Sequence, residues 1–135
     1  MMDFTFFVPT RLLFGTGKLA ELHKQALPGK KALLLLSHGK SVQLNGSLQK
    51  TEYELALAGV AFVPFPKIME NPVREVIMEG AAFARANGCE FIIALGGGAV
   101  LDSAAAIAAM ATNTGDLWDY VFGGTGKGQS LKNAP

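Results

Sequence analysis

Three short runs of apolar residues alternate along the chain with segments in which apolar residues recur at helical spacing. The runs cover residues 31–36, 61–65 and 91–95 and are rich in residues that favour strands. Helical spacing follows at residues 47–58 and 73–87, and an alanine-rich helix follows the third run. Such alternation indicates parallel strands joined by right-handed crossovers. The pattern therefore predicts an α/β fold, a Rossmann-like parallel sheet flanked by helices.

The composition of each run predicts its place in the sheet. The run FIIAL at residues 91–95 has no polar residue, which is typical of a strand buried on both faces of a parallel sheet. KALLLL at residues 31–36 is a second continuous apolar strand. Pro64 lies within the remaining run, and because proline cannot donate to a strand ladder, we expect that strand to be less central.

Outside this core, the two ends of the chain have patterns of their own. Residues 4–8 and 11–14 are rich in β-formers and predict an N-terminal strand pair. Residues 18–27 predict a helix, and Trp118 is expected to anchor the amphipathic segment around it. Residues 123–135 consist largely of Gly, Thr, Lys, Gln and Ser, which predicts a mobile loop or tail.

Three consecutive glycines, Gly96, Gly97 and Gly98, separate the third strand from the helix that follows it. Glycines can take positive φ and allow an anion close to the backbone, and a helix N-terminus directs free N–H groups at the same point. This favours a pyrophosphate site, although close packing of strand against helix is the alternative reading of the glycines. Asp102 is expected in the first helical turn, where it would either contact a ribose hydroxyl or a substrate or simply be stabilised by the helix dipole.

A polar loop, Ser37-His38-Gly39-Lys40-Ser41, follows the first apolar run. In doubly wound sheets the end of an early strand contacts the adenosine ribose, where an acidic residue selects NAD. The loop has no acidic residue, and Lys40 with its neighbouring donors suits a 2′-phosphate, which slightly favours NADP over NAD. A solvated turn is the alternative interpretation of the same residues.

Charge and cysteine content exclude several classes of protein. The net charge is +1 and the basic residues are scattered, so nothing points to nucleic acid. No stretch reaches the ~20 apolar residues of a membrane helix. The single cysteine, Cys89, is expected to be a small buried hydrophobe, and it suits a reducing, cytoplasmic compartment. His23 has no acidic or histidine partner at ligand spacing and is expected at the surface.

Four segments are distinctive in combination: FTFFVPTRLLFG at residues 4–15, Asn71-Pro72, ALGGGAVLDSAAAIA at residues 94–108, and GDLWDYV at residues 115–121. Together they resemble the nucleotide-binding half of iron-containing (group III) alcohol dehydrogenases. Gly96, Gly97, Gly98 and Asp102 match the family motif, and the resemblance implies that the dinucleotide pyrophosphate binds on the three glycines. With Ala99 and the loop at residues 37–41, they make up the predicted dinucleotide site. Two positions depart from the family motif, because Ala99 stands where serine is usual and Ala105 where lysine is usual.

The resemblance also implies what this chain does not contain. The family holds its catalytic metal, iron or zinc, with one Asp and three His of a C-terminal helical domain, whereas the two histidines here, His23 and His38, lie in the first third of the chain. Residues 1–135 are therefore expected to form a truncated dinucleotide-binding domain that lacks the metal-binding domain and does not catalyse alone. The complete enzyme would interconvert alcohols and aldehydes or ketones, and by resemblance it would form a homodimer.

Two other functions remain open at this point. The losses at Ala99 and Ala105 suit a non-catalytic nucleotide-binding module. A domain similar to glycerol dehydrogenase or dehydroquinate synthase would share the sheet, although the opening segment and the Trp118-Asp119-Tyr120 triplet favour the alcohol dehydrogenases.

Overall fold

A computed structural model describes all residues from 1 to 135. Three parallel strands form one sheet in the order β2-β1-β3. The strands are β1 (Lys31–Ser37), β2 (Ala61–Ile68) and β3 (Phe91–Leu95). The helices are a 3-10 helix (Lys18–Lys24), α1 (Ser41–Leu44), α2 (Ser47–Leu57), α3 (Arg74–Ala86), α4 (Gly98–Thr112) and α5 (Leu117–Tyr120). The predicted parallel sheet flanked by helices is confirmed.

Strand β1 is the centre of the sheet, and Ala32 to Leu36 are at most 2% exposed. Alternate residues point to opposite faces. Leu33 and Leu35 pack with residues of α3 and α4, and Leu34 packs beside Val42 of α1. An unbroken apolar strand is therefore explained by helices on both faces of the sheet.

The bounds and burial of the two outer strands agree with their predictions to different degrees. Strand β2 lies at an edge, as Pro64 predicted, and it extends to Ile68, beyond the predicted end at residue 65. Strand β3 has the predicted bounds, and its residues pack against core clusters on both faces of the sheet, as predicted, but each of them is only partly buried. The reason is position, since β3 is the other edge of the sheet and its outer side has no neighbouring strand in this chain.

The predicted N-terminal strand pair is wrong. Residues 1–14 form no helix or strand, and all but Leu13 are exposed. A strand is stabilised by hydrogen bonds to a neighbouring strand, and β-forming composition alone does not supply that neighbour. The predicted helix at residues 18–27 is shorter than expected and is a 3-10 helix, Lys18–Lys24.

The C-terminal segment, predicted as a mobile loop or tail, is held by buried and capping side chains. The Oδ1 atom of Asn113, a residue that is 7% exposed, accepts hydrogen bonds from the Lys132 and Asn133 N–H groups at 2.9 and 3.0 Å. The Oδ1 atom of Asp119 accepts a bond of 2.7 Å from the Thr125 hydroxyl. Residues 123–135 form no helix or strand, as predicted for a loop or tail, and these polar side chains hold the backbone at several points.

An ion pair fastens α5 to the start of α3. Arg74 Nε donates to Asp116 Oδ1 at 2.7 Å, and a second guanidinium nitrogen bonds the other carboxylate oxygen. This pairing and the bond from the Trp118 N–H hold the pKa of Asp116 below its usual value. Trp118 itself is 46% exposed, so its predicted role as the anchor is wrong; Leu117 and Tyr120 pack against the core instead.

His23 joins the 3-10 helix to α2. Its backbone N–H and ring Nδ1 lie 3.0 and 2.6 Å from Oε2 of Glu54, a residue that is 4% exposed. These bonds, the backbone one first, lower the pKa of Glu54. The expectation that His23 lies at the surface is therefore wrong, because its side chain is partly buried against an acidic partner 31 residues away in sequence.

Candidate functional site

An open cleft of about 390 Å³ lies where the carboxyl ends of all three strands meet. Its wall is formed by Ser37, His38, Gly39, Ser41, Ile68, Met69, Glu70, Gly97, Gly98, Ala99 and Val100. In open parallel α/β sheets, ligands bind outside the carboxyl ends of the strands. The position of this cleft makes it the candidate site of the chain.

The N-terminus of α4 supplies the donors of the cleft. Helix α4 begins at Gly98, and the first backbone bonds into the turn are donated by Val100 and Leu101 to the Gly97 carbonyl. The N–H groups of Gly98 and Ala99 therefore have no backbone partner, as expected for the first residues of a helix. Free N–H groups and the positive end of a 15-residue helix fit the pyrophosphate of a dinucleotide.

The three glycines have different roles. None of Gly96, Gly97 and Gly98 has a positive φ, so the expected use of that conformation is wrong. A Cβ on Gly96 would lie 2.7 Å from a methyl group of Val100, which explains that glycine by packing. At Gly97 and Gly98 a Cβ would meet nothing within 4 Å, so both positions are open. Packing therefore accounts for Gly96, whereas the backbone at Gly97 and Gly98 is open on the side that a Cβ would occupy.

The loop after β1 is fixed against the end of β2. The His38 N–H donates to the Ile68 carbonyl at 2.9 Å, and ring Nδ1 lies 3.4 Å from the same oxygen. Ser37, Gly39 and Ser41 line the cleft together with His38. The cleft thus joins most of the predicted loop to the predicted glycine turn.

Three predicted site residues lie outside the wall of the cleft. Gly96 packs closely against Val100. Lys40 is exposed, although its two neighbours in sequence do line the cleft. Asp102 is exposed on α4, and because the helix begins at Gly98, the expectation that it lies in the first turn is wrong. Ala105, where the family usually has lysine, is also exposed and outside the wall.

Sequence reasoning missed the contribution of β2. Ile68, Met69 and Glu70 line the cleft, and Glu70 is the only residue of its wall with a carboxylate. No lysine or arginine lines the wall. No local sequence pattern marks these residues, because their place in the cleft depends on β2 running on to Ile68 and ending beside the end of β1.

A larger cavity, of about 550 Å³, lies elsewhere, between the 3-10 helix and α2. Its wall includes Leu19, Ala20, Tyr53 and Glu54. No strand contributes to its wall. The first residue of α2, Ser47, does, and Glu54 is already bonded to His23. The cleft at the strand ends is the better candidate because it combines free donors with the position at which parallel sheets bind ligands.

Nothing in the chain resembles a metal centre. No group of three or more His, Cys, Asp or Glu side chains is arranged to hold a metal ion. Cys89 packs against the main core, and burial raises the pKa of its thiol. None of the helices has both the length and the apolar character that crossing a membrane requires.

Comparisons with known proteins agree on one family. The sequence model of iron-containing alcohol dehydrogenase matches residues 9–135. Probable NADH-dependent butanol dehydrogenase 1 of Bacillus subtilis is 34% identical over 121 residues, which cover 90% of this chain and 31% of that protein. NADPH-dependent aldehyde reductase YqhD of Escherichia coli is 34% identical over 134 residues, covering 99% and 34%.

A solved structure gives the same result. The crystal structure of NADH-dependent butanol dehydrogenase A from Thermotoga maritima superposes with a TM-score of 0.88 at 30% identity, covering 99% of this chain and 33% of that one. The chain thus spans about a third of the length of the relatives that it matches. With the glycine turn, the strand order and the match over residues 9–135 all in agreement, the chain belongs to the iron-containing alcohol dehydrogenase family.

Proposed function

We propose that this chain is the dinucleotide-binding part of an NAD(P)-dependent dehydrogenase that interconverts alcohols and aldehydes or ketones. The observation that carries the proposal is the open N-terminus of α4, where the N–H groups of Gly98 and Ala99 are unpaired beside a cleft formed by three strand ends. The names of the relatives support the reaction, since they are butanol dehydrogenases and an aldehyde reductase.

Different residues of the cleft would bind different parts of the dinucleotide. The N–H groups of Gly98 and Ala99 donate to the pyrophosphate, and the open positions of Gly97 and Gly98 let it approach the backbone. The hydroxyl groups of Ser37 and Ser41 are donors for the adenosine ribose end. The bound nicotinamide supplies the hydride chemistry, which belongs to the cofactor.

The catalytic metal of the family does not fit the residues of this chain. No three potential ligands come together, so no step of the reaction through a metal is assigned to these residues. We therefore infer that the chain contributes cofactor binding and is inactive alone. Steady alcohol-dependent reduction of NADP by the purified chain of 135 residues would contradict this inference.

Two observations bear on the cofactor and the compartment. The relatives include proteins named for NADH and for NADPH, so their names do not choose between the two. Lys40, between two cleft residues, supports a slight preference for NADP(H) because it can approach a 2′-phosphate. The lone, partly buried Cys89 supports a reducing compartment such as the cytoplasm.

Calorimetric titration with NADPH and NADH at matched salt tests the proposed function. We expect both dinucleotides to bind, with NADPH the tighter, because the pyrophosphate contacts are shared and Lys40 adds a cation near the ribose. Replacement Lys40→Ala should weaken NADPH roughly three- to tenfold and leave NADH almost unchanged. Lys50→Ala is the matched control, since Lys50 is an exposed cation on α2 outside the cleft. Absence of binding by either dinucleotide would overturn the proposal.

We also propose that the chain forms a homodimer through its N-terminal arm, residues 1–14. Phe4, Phe6, Phe7 and Phe14 are each at least 80% exposed, an amount of apolar surface that is unusual on a monomer. Sedimentation velocity should give a dimer for the whole chain and a folded monomer after removal of residues 1–14, which belong to no helix or strand. A monomeric whole chain at micromolar concentration would contradict the dimer.

A further inference from the structure

Glu70 is a carboxylate in the cleft to which the fold gives no partner. It follows the last residue of β2 by two positions, is exposed, and lines the cleft. The five ion pairs of the chain all involve other residues. Its carboxylate therefore lines the cleft without an ion-pair partner in the chain.

The strand order fixes where Glu70 lies relative to the pyrophosphate site. The glycine turn follows β3, the Ser37–Ser41 loop follows β1, and Glu70 follows β2, so the three lie in that order along one edge of the sheet. Adjacent strands are about 4.8 Å apart, which puts Glu70 about 10 Å from the glycine turn. The loop after β1 lies between the glycine turn and Glu70. An adenosine ribose that contacts this loop would therefore lie between the pyrophosphate and Glu70.

The chemistry of that end of the cleft depends on one charge. A carboxylate accepts hydrogen bonds from ribose hydroxyl groups and repels a 2′-phosphate. Because no lysine or arginine lines the wall, the phosphate would meet Glu70 without a compensating cation on the wall itself. Lys40 belongs to the loop after β1, but it is exposed and is not part of the wall of the cleft.

We propose that Glu70 is a cofactor-selectivity residue, which accepts a hydrogen bond from the adenosine ribose and disfavours a 2′-phosphate. The proposal rests on the proposed function, and it adds a residue from β2 that opposes the effect of Lys40. Selectivity between NADPH and NADH then reflects the balance of a cation after β1 and a carboxylate after β2.

The test compares the ratio of the two dissociation constants, NADPH over NADH, in wild type and in Glu70→Gln. We expect the ratio to fall roughly three- to tenfold in the variant, because the repulsion of the phosphate is lost while the shape of the side chain is kept. The effect should shrink at high salt, which screens an exposed charge. Glu52→Gln is the matched control, since it removes one negative charge from α2 outside the cleft and should leave the ratio unchanged.

The outcomes separate this proposal from the function on which it rests. Binding of both dinucleotides with an unchanged ratio in Glu70→Gln overturns the role of Glu70 and leaves the proposed function standing. An equal fall of the ratio in Glu52→Gln also overturns it, because the effect would then come from overall charge. Failure of the wild-type chain to bind either dinucleotide overturns the proposed function and the role of Glu70 together.

Discussion

The substitution Gly98→Asp is expected to abolish dinucleotide binding without destabilising the fold. Gly98 is the first residue of α4, its φ is not positive, and a Cβ there would meet no atom within 4 Å. An aspartate in the first turn is favoured by the helix dipole by about 0.3–1 kcal/mol. The same carboxylate would lie beside the N–H groups that the pyrophosphate needs, and each pair of like charges at about 4 Å costs about 1–4 kcal/mol.

The measurement pairs calorimetric binding with thermal unfolding. We expect the affinity for NADH and NADPH to fall by roughly 100-fold or more, since a pyrophosphate carries two charges, while Tm stays the same or rises slightly. Gly98→Ala is the control, because it fills the same position without charge and should cost much less affinity. If Gly98→Asp binds like wild type, the pyrophosphate does not lie at this helix end; if it unfolds the chain, Gly98 is needed for packing.

Strand β1 could be predicted because the pattern of apolar residues along the chain indicates both the strand and the helices that bury it. The unbroken apolar residues of β1 need helices on both faces, and the helical periods that flank it in the sequence supply them. Residues 4–14 have equally good β-forming composition, but a strand also needs a partner for its backbone hydrogen bonds, and composition does not say whether the chain offers one. The same limit explains β3, whose apolar pattern does not reveal that it lies at an edge.

The candidate site could be predicted where it depends on a motif and not where it depends on register. Gly97 and Gly98 stood out because a glycine run between a strand and a helix has few uses. Glu70 did not, because its place in the cleft follows from two facts absent from local pattern: β2 runs on to Ile68, and β2 pairs with β1 in parallel. His23 with Glu54 is a similar case, since a hydrogen bond across 31 residues leaves no trace in local spacing.

The tail shows how single polar side chains override composition. Residues 123–135 are too poor in apolar residues to form a core, which is why they were expected to be mobile. Buried Asn113 forms hydrogen bonds with both donors and acceptors of the returning backbone, including the Asn133 carbonyl at 3.0 Å. A buried amide side chain needs hydrogen-bond partners, and so do backbone N–H and C=O groups. The contacts between Asn113 and the returning backbone supply both. Composition alone does not contain this pairing.

Replacement of Phe65 by alanine is expected to have the largest effect on stability. Phe65 of β2 is 2% exposed, belongs to the main core, and has its ring centroid 5.6 Å from that of Phe83. Loss of a buried phenylalanine costs about 3–5 kcal/mol, against a total of about 5–15 kcal/mol for a typical domain. Phe65→Ala should therefore be close to unfolding at room temperature.

Urea denaturation monitored by circular dichroism measures this difference, with Phe83→Ala as the matched control. Phe83 forms the same ring pair, but it is 36% exposed on α3, so its replacement should lower the free energy of unfolding by a much smaller amount. If the two variants lose equal stability, the ring contact that they share dominates. If Phe65→Ala loses less than about 1 kcal/mol, the packing of α3 and α4 against β2 is looser than its burial implies. The large loss expected at Phe65 follows from its place between the sheet and these two helices, since that layer supports the edge of the cleft where β2 ends.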